Sequence, residues 1–404
     1  MRQFCSFLLP LACYGVTGAA AQAAAAGTKP PGFAPGAKWQ IDIMNTLDVT
    51  KPLVPADAVV WDLDLFHLQR HPEIVDFLRK QIPDVSVICY FNAGLAQPSD
   101  CDWETTWQSA AFRGLLGNSY DAPFGEEKWI NIKNQTAVDL IKRRVTLAAD
   151  LGCDGVDPDN IDGFTGDEGG GSGTGWSTTS ADYTRFVTEL ATLAHSLATK
   201  RGFPLMIGQK NAAKLVSILA PLLDFAVLED CKDLRQEAGG AFCADFQPYV
   251  AAGKPIFSIE YPTSLRDSAG ASQCKAAGAD AAQFEKSCAV DAAAGGSLGN
   301  FGFSEVLKLR DSASDKSGEL NGCTQYCGKQ GAGVVVTATN GEIDGDACPA
   351  VTGTTGGGGV GVVAPVVAAP VPTKSAVASA GDEDEGDRGF GRRGRKKRGG
   401  VKRR

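Results

Sequence analysis

Read for polarity alone, the chain between residues 39 and 303 alternates short apolar runs with longer stretches of helical periodicity. The apolar runs cover 39–44, 58–63, 85–91, 155–156, 204–208, 225–228, 255–259 and, less sharply, 300–303. Amphipathic stretches over 73–80, 136–151, 180–199 and 211–223 lie between them. In 136–151, Val138, Ile141, Val145, Leu147 and Ala148 recur at roughly helical spacing opposite Lys142, Arg143 and Arg144. Near-continuous apolar strands belong to parallel sheets covered on both faces. Eight such β-α units predict an α/β fold closed as a (β/α)8 TIM barrel, followed by a disordered C-terminal tail. An open doubly wound sheet is the alternative, but it calls for a glycine-rich phosphate loop after the first strand, and none follows Met44.

The residues that end these runs are polar. They include Asp62 and Asp64, Tyr90 and Asn92, Asp157, Asp159, Asn160 and Asp162, Lys210 and Asn211, Glu229 and Asp230, and Glu260 and Tyr261. Any one of these ends reads equally well as a solvated turn, because Asp and Asn hydrogen-bond their own backbone there. In a barrel, however, the carboxyl ends of all strands meet on one face, so the recurrence makes a constellation. Paired carboxylates beside aromatics and amides suit cleavage of glycosidic bonds, one carboxyl donating a proton and the other attacking or activating water. Competing chemistries lack their signatures. The glycine-rich stretch 166–175 has no Gly-Lys-Ser/Thr and reads as a flexible insertion. The three histidines are His67 and His71, four apart without a zinc-protease Glu, and His195 within a helix. No metal and no cofactor is expected.

Taken in order, Trp39-Gln40, the run 87–94 with Tyr90-Phe91-Asn92-Ala93-Gly94, Lys128-Trp129-Ile130-Asn131, the stretch 152–163, Lys210-Asn211, the run 224–231 and the run 253–261 resemble glycoside hydrolase family 114, the endo-α-1,4-polygalactosaminidases. The resemblance spans roughly 38–327. It implies a (β/α)8 barrel that cuts α-1,4-linked galactosamine polymers such as the galactosaminogalactan of fungal walls and biofilms. The family's catalytic carboxylates, in Pro-Asp-Asn and Asn-Glu-Gln-Cys motifs, map onto Asp159 and Glu229. By analogy with other barrel glycosidases, Asp159 is the nucleophile and Glu229 the general acid/base, which requires the Glu229 carboxyl to be held protonated by burial or by Asp230 and Glu260 nearby. Trp39, Asp62, Tyr90, Asp157, Asn160, Asp162, Lys210, Glu260 and Tyr261 are the expected substrate contacts. The chain departs from the motifs at Leu228, Asp230 and Asp157 and in its longer glycine-rich loop. The other reading is a catalytically silent barrel that binds wall polysaccharide, for which loss of either carboxylate would be tolerated.

Residues 1–26, with Arg2, an apolar run and small residues after it, read as a secretory signal, too short and too interrupted by Pro10 and Gly15 to anchor in a membrane. Residues 27–37 form a Pro/Gly linker, 38–327 the barrel, 328–354 an extension of uncertain order and 355–404 a Gly/Pro-rich, then basic, disordered tail. Ten cysteines remain after the signal, an even number that suits pairing in an oxidising compartment. Cys231 and Cys243 are expected to bridge locally, and Cys89 and Cys153 to be buried thiols. Asn134-Gln135-Thr136 is a glycosylation sequon or a plain helix cap. Residues 382–404 hold ten Lys/Arg and five Asp/Glu of the chain's 39 and 47, so the remainder carries a net charge of −13. An acidic barrel attracts a polycationic, partly deacetylated galactosamine polymer. A secreted monomer is expected, acting on such a polysaccharide, without a nucleic-acid partner or a membrane anchor.

Overall fold

The computed structural model of the chain describes residues 29–120, 126–164, 171–233, 241–262, 281–288, 299, 301–308, 320–327, 334–340 and 348–349. The expected signal, residues 166–170 of the glycine-rich stretch and the tail lie outside these residues, and 351–404 form a separate unit.

Eight strands lie side by side in chain order, each parallel to the last: β1 (Trp39–Asp42), β2 (Val60–Asp64), β3 (Ser86–Asn92), β4 (Gly155–Asp159), β5 (Met206–Lys210), β6 (Phe225–Glu229), β7 (Ile256–Glu260) and β8 (Ser304–Lys308). A ninth, β9 (Cys323–Tyr326), runs antiparallel to β8, and a short β10 (Val335–Val336) runs antiparallel to β9. Side chains draw β1 to β8 and β9 and so close the (β/α)8 barrel. The Trp39 indole donates to Ser304 O at 2.9 Å, and Tyr326 donates to Trp39 O at 2.9 Å. The buried Lys308 ammonium donates to Gln40 Oε1, Ile41 O and Asn321 O at 3.0, 2.6 and 2.7 Å. A buried cation is tolerable here because every donor finds an oxygen.

Period-two alternation sorts the strand residues into two cores. Trp39, Ile41, Val60, Ile88, Met206, Phe225, Val227, Phe257, Ile259 and Val306 pack inside the barrel with Phe33. Trp61, Leu63, Val87, Cys89, Phe91, Val156, Ile207, Ala226 and Leu228 face outward under the helices. The interior needs glycine where rings crowd. A Cβ on Gly208 would lie 2.4 Å from the Phe225 ring, and one on Gly155 would lie 3.0 Å from Phe33.

Helices follow where the sequence caps them. Asp64 accepts from Phe66 N and His67 N at 2.9 and 2.8 Å and starts α1 (Leu65–Arg70), which leads into α2 (Glu73–Gln81). Asn134, the sequon residue, accepts from Thr136 N at 2.9 Å and starts α3 (Gln135–Leu151), which Gly152 ends at φ 100°. Thr179 and Asp182 form a capping box on α4 (Ser180–Ser196).

Several expectations are corrected. The fourth strand runs through Asp159, its inner face carrying Gly155, Asp157 and Asp159 in place of an apolar row. The eighth begins at Ser304, after the run expected at 300–303, because stacked Phe301 and Phe303 lead into it from outside. The stretch 211–223 yields only a turn over Ala213–Leu215 and a short α5 (Val216–Leu219), since Asn211 and Ala212 take left-handed backbone that a helix cannot start from. No helix is found among the described residues between β1 and β2. Arg144, placed on the polar face of its helix by spacing, is buried and forms ion pairs with Asp100 and Asp102 at 2.7 and 2.6 Å. Cys89 and Cys153, expected as thiols, are joined in a disulfide, their Cα atoms 6.0 Å apart at the β3–β4 junction. Cys231–Cys243 is bridged as expected, with Cys101–Cys348 and Cys288–Cys327 besides. Cys274 lies outside the described residues.

Candidate active site

Polar residues occupy the upper inward positions of five neighbouring strands. Asp62 comes from β2, Tyr90 from β3, Asp157 and Asp159 from β4, Lys210 from β5 and Glu229 from β6, with Tyr261 just past β7. The same alternation that buries the apolar rows below therefore aims these groups at one point. Lys210 Nζ lies 3.3 Å from Asp159 Oδ2 and 3.6 Å from Glu229 Oε2. The Tyr90 hydroxyl donates to Asp159 Oδ2 at 2.7 Å, and the Tyr261 hydroxyl donates to Glu229 Oε1 at 2.5 Å. Lys210 is 1% exposed at its side chain, whereas Asp159 and Glu229 are 18% and 26% exposed. The two carboxyls thus form the open layer, and the cation lies beneath them.

The turns that present these groups share a local device. The residue after each is left-handed: Asn160 after Asp159 at φ 57°, Asn211 after Lys210 at φ 41° and Asp230 after Glu229 at φ 55°. Asn and Asp are the side-chain-bearing residues that enter this region most readily, and the reversal ends the strand immediately beyond the functional side chain. Side-chain bonds then fix the turns. Asn160 N donates to Asp159 Oδ1 at 2.7 Å, Asn160 Nδ2 to Asn92 Oδ1 at 2.8 Å, and Glu229 N to Asn211 Oδ1 at 2.9 Å. Arg144 adds a bond of 2.7 Å to Asn92 O, linking the α3 ion-pair cluster to the β3 end.

Below the open layer, Asp62 and Asp157 are fully buried, and none of their four carboxyl oxygens has a hydrogen-bond partner among the described residues. Burial raises the Asp157 carboxyl to about 7; Lys210 pulls it down, while Asp159 and Glu229 push it up. Asp62 is pushed well above the carboxylate range by burial and then by Asp157. Burial disfavours the Lys210 ammonium, but Asp159, Glu229 and Asp157 outweigh it and hold the lysine charged. Tyr90 is kept a neutral donor by burial and by Asp159.

The geometry redistributes the expected substrate contacts. Asn160 and Asp162 are half-buried at the mouth, and Tyr90 is 8% exposed. Lys210 and Tyr261 serve the carboxyls themselves. Trp39 is fully buried at the other end of the barrel, against Phe257 at 5.1 Å, and does not reach the mouth. Glu260 alternates with inward Ile259 and Tyr261, so it points outward, where it accepts from Lys232 N at 3.0 Å near Glu305. The nearby Cys231 and Cys243 sulfurs are bonded to each other and so are not metal ligands. Tyr120 went unread in the sequence because it sits in the long segment between β3 and α3. Its ring lies 5.5 Å from Trp129, and its hydroxyl is raised by burial and then by the negative charges of Asp162, Asp159, Glu127 and Glu229.

Two carboxyls on a buried cation at the carboxyl end of a barrel make the outfit of a glycosidase, and a family model matches residues 17–332. The chain belongs to glycoside-hydrolase family GH114. It is accordingly a glycoside hydrolase. The GH114 chain is similar to Aspergillus fumigatus Ega3, solved in complex with galactosamine, at 29% identity and a TM-score of 0.54 over 74% of this chain and 99% of that one. The glycoside hydrolase domain of PelA from Pseudomonas aeruginosa matches at 13% identity and a TM-score of 0.45, over 70% of this chain and 98% of that one. No curated protein matches the GH114 chain.

Proposed function

We propose that this chain is a secreted, endo-acting hydrolase of α-1,4-linked, galactosamine-containing polysaccharide, with Asp159 as nucleophile and Glu229 as general acid/base. The observation that carries the reading is the sharing of Lys210 by both carboxyls at 3.3 and 3.6 Å. Since the oxygens meet on one nitrogen, they stand no more than roughly 7 Å apart, which favours the retaining geometry, with its closer carboxyls, over most inverting ones. Asp159 attacks the anomeric carbon as Glu229 gives its proton to the departing oxygen. Glu229, now a carboxylate, takes a proton from water, and the hydroxide so formed releases the sugar from Asp159. The galactosamine bound to Ega3, a 29% identical relative, supports the sugar, and the acidic balance of residues 1–381 suits a cationic chain. Four bridged cysteine pairs support passage through an oxidising compartment, with residues 1–26 as the signal and 355–404 as a tail outside the barrel domain.

The test is release of soluble oligosaccharides of mixed length from purified α-1,4-galactosamine polymer, beside Asp159→Asn and Glu229→Gln. Release by the wild type and its loss in both variants is the expected result. A wild type that binds the polymer and releases nothing would instead mark a binding barrel.

A further inference from the structure

A retaining reaction moves one negative charge between two carboxyls. Before attack it resides on Asp159; in the glycosyl-enzyme Asp159 is a neutral ester, and the charge resides on Glu229, which has given up its proton. A cation close to only one of the two would favour one state and hinder the step between them. Lys210 Nζ is nearly equidistant from both, at 3.3 and 3.6 Å, and is sealed from water at 1% exposure. It has little freedom to follow the charge, since its ammonium also lies 5.3 Å from the Tyr90 ring centroid.

We infer that Lys210 is a positioning residue that holds a fixed positive charge between Asp159 and Glu229, stabilising the single negative charge equally on either, and that it does not contact the sugar. This rests on the reading of Asp159 and Glu229 as the catalytic pair.

The groups around Lys210 support this role. Asp159 and Asp157 face it from β4, Glu229 from β6, Tyr90 from β3 and Asp62 from β2, while the Tyr261 hydroxyl donates to Glu229. Of the four carboxyls, Asp62 and Asp157 could divert the ammonium downward, yet neither makes a hydrogen bond or an ion pair to it. Both are buried where the neutral form is favoured, so the charge of Lys210 is directed to the open layer. The positions 62, 157, 159, 210 and 229 thus place two buried acids below the cation and two working acids above it.

The experiment follows the carboxyl groups directly. Carboxyl 13C NMR titrations of wild type, Lys210→Met and Lys210→Arg, with the resonances assigned by Asp159→Asn and Glu229→Gln, require no turnover and stand even where the substrate is wrong. Removing a positive charge raises the pKa of both carboxyls, so in Lys210→Met both midpoints should move to higher pH, while Lys210→Arg keeps them close to wild type. With active enzyme, both limbs of the pH–rate bell should move up together in Lys210→Met, with kcat reduced about 100-fold and KM little changed. Unmoved midpoints, or a raised KM with an unmoved bell, would make Lys210 a sugar contact and overturn the inference. If Lys210→Met does not fold, Lys210→Arg decides: midpoints at wild-type pH support the role, and displaced midpoints refute it.

Discussion

Gly94 lies against the carbonyl of Asn160 so closely that a Cβ would stand 1.8 Å from that oxygen. Ala93 N and Gly94 N also donate to Asp159 O at 2.9 and 3.1 Å, so the β3 turn and the β4 turn are one unit. Gly94→Ala must displace Asn160 and with it Asp159. We expect it to lower kcat at least tenfold with little change in KM, alongside a loss of about 1–3 kcal/mol in stability. Urea unfolding and steady-state kinetics read the two effects separately.

Tyr90 and Tyr261 each give a hydroxyl to one working carboxyl. Tyr90→Phe removes a hydrogen bond to the charged Asp159, and Tyr261→Phe one to Glu229, which becomes charged as it gives up its proton; each is worth about 1.5–3 kcal/mol with the ring left in place. Tyr90→Phe and Tyr261→Phe should each reduce kcat/KM by about 10- to 100-fold without altering thermal stability by a comparable amount. An unchanged rate in either would remove that hydroxyl from the account.

The buried acids set a pH dependence of stability. Asp157 titrates in the folded chain at about 7, above its ordinary 3.8, chiefly because burial penalises its charge. A raised folded pKa means that the native state binds a proton more tightly than the unfolded chain. Its contribution is full below about pH 4 and is lost as pH rises toward and through 7. His195, raised by its hydrogen bond to Asp224 at 2.8 Å, acts in the same direction above its ordinary 6.5. We expect stability to fall between pH 5 and pH 8, on the order of 1–3 kcal/mol of it traceable to Asp157, and Asp157→Asn to flatten that fall. Chemical denaturation across pH measures both.

The Cys101–Cys348 bridge spans 247 residues and ties the end of the described chain to the segment after β3. Cys348→Ser should reduce stability by about 2–5 kcal/mol, as loss of a bridge over a long loop does. It should leave the pH–rate profile in place, because neither cysteine touches the carboxyl pair. Calorimetry and a pH–rate series would show this separation.

Strand period and strand ends were legible from the chain because the physics there is local. Apolar runs fix six of the eight barrel strands, and an Asp, Lys or Glu followed by Asn, Asn or Asp at 159, 210 and 229 marks both the candidate functional group and the backbone reversal that presents it. Side-chain direction was harder to read where polarity misleads. Glu260 ends a strand like its neighbours, yet the alternation turns it outward to Lys232, and Trp39 sits at the wrong end of its strand to meet a sugar. Arg144 reads as a polar-face residue until Asp100 and Asp102, more than 40 positions away, are seen to enclose it. Tyr120 carried no signal, because where a loop residue lies depends on the path of a whole segment rather than on any spacing.

The most direct test of the account is the anomeric configuration of the first product. Time-resolved proton NMR of newly released reducing ends should show the α-anomer first, with the β-anomer growing in by mutarotation, as a nucleophilic Asp159 beside Glu229 requires. The β-anomer appearing first would contradict the retaining pair and recast Asp159 as the base that activates water.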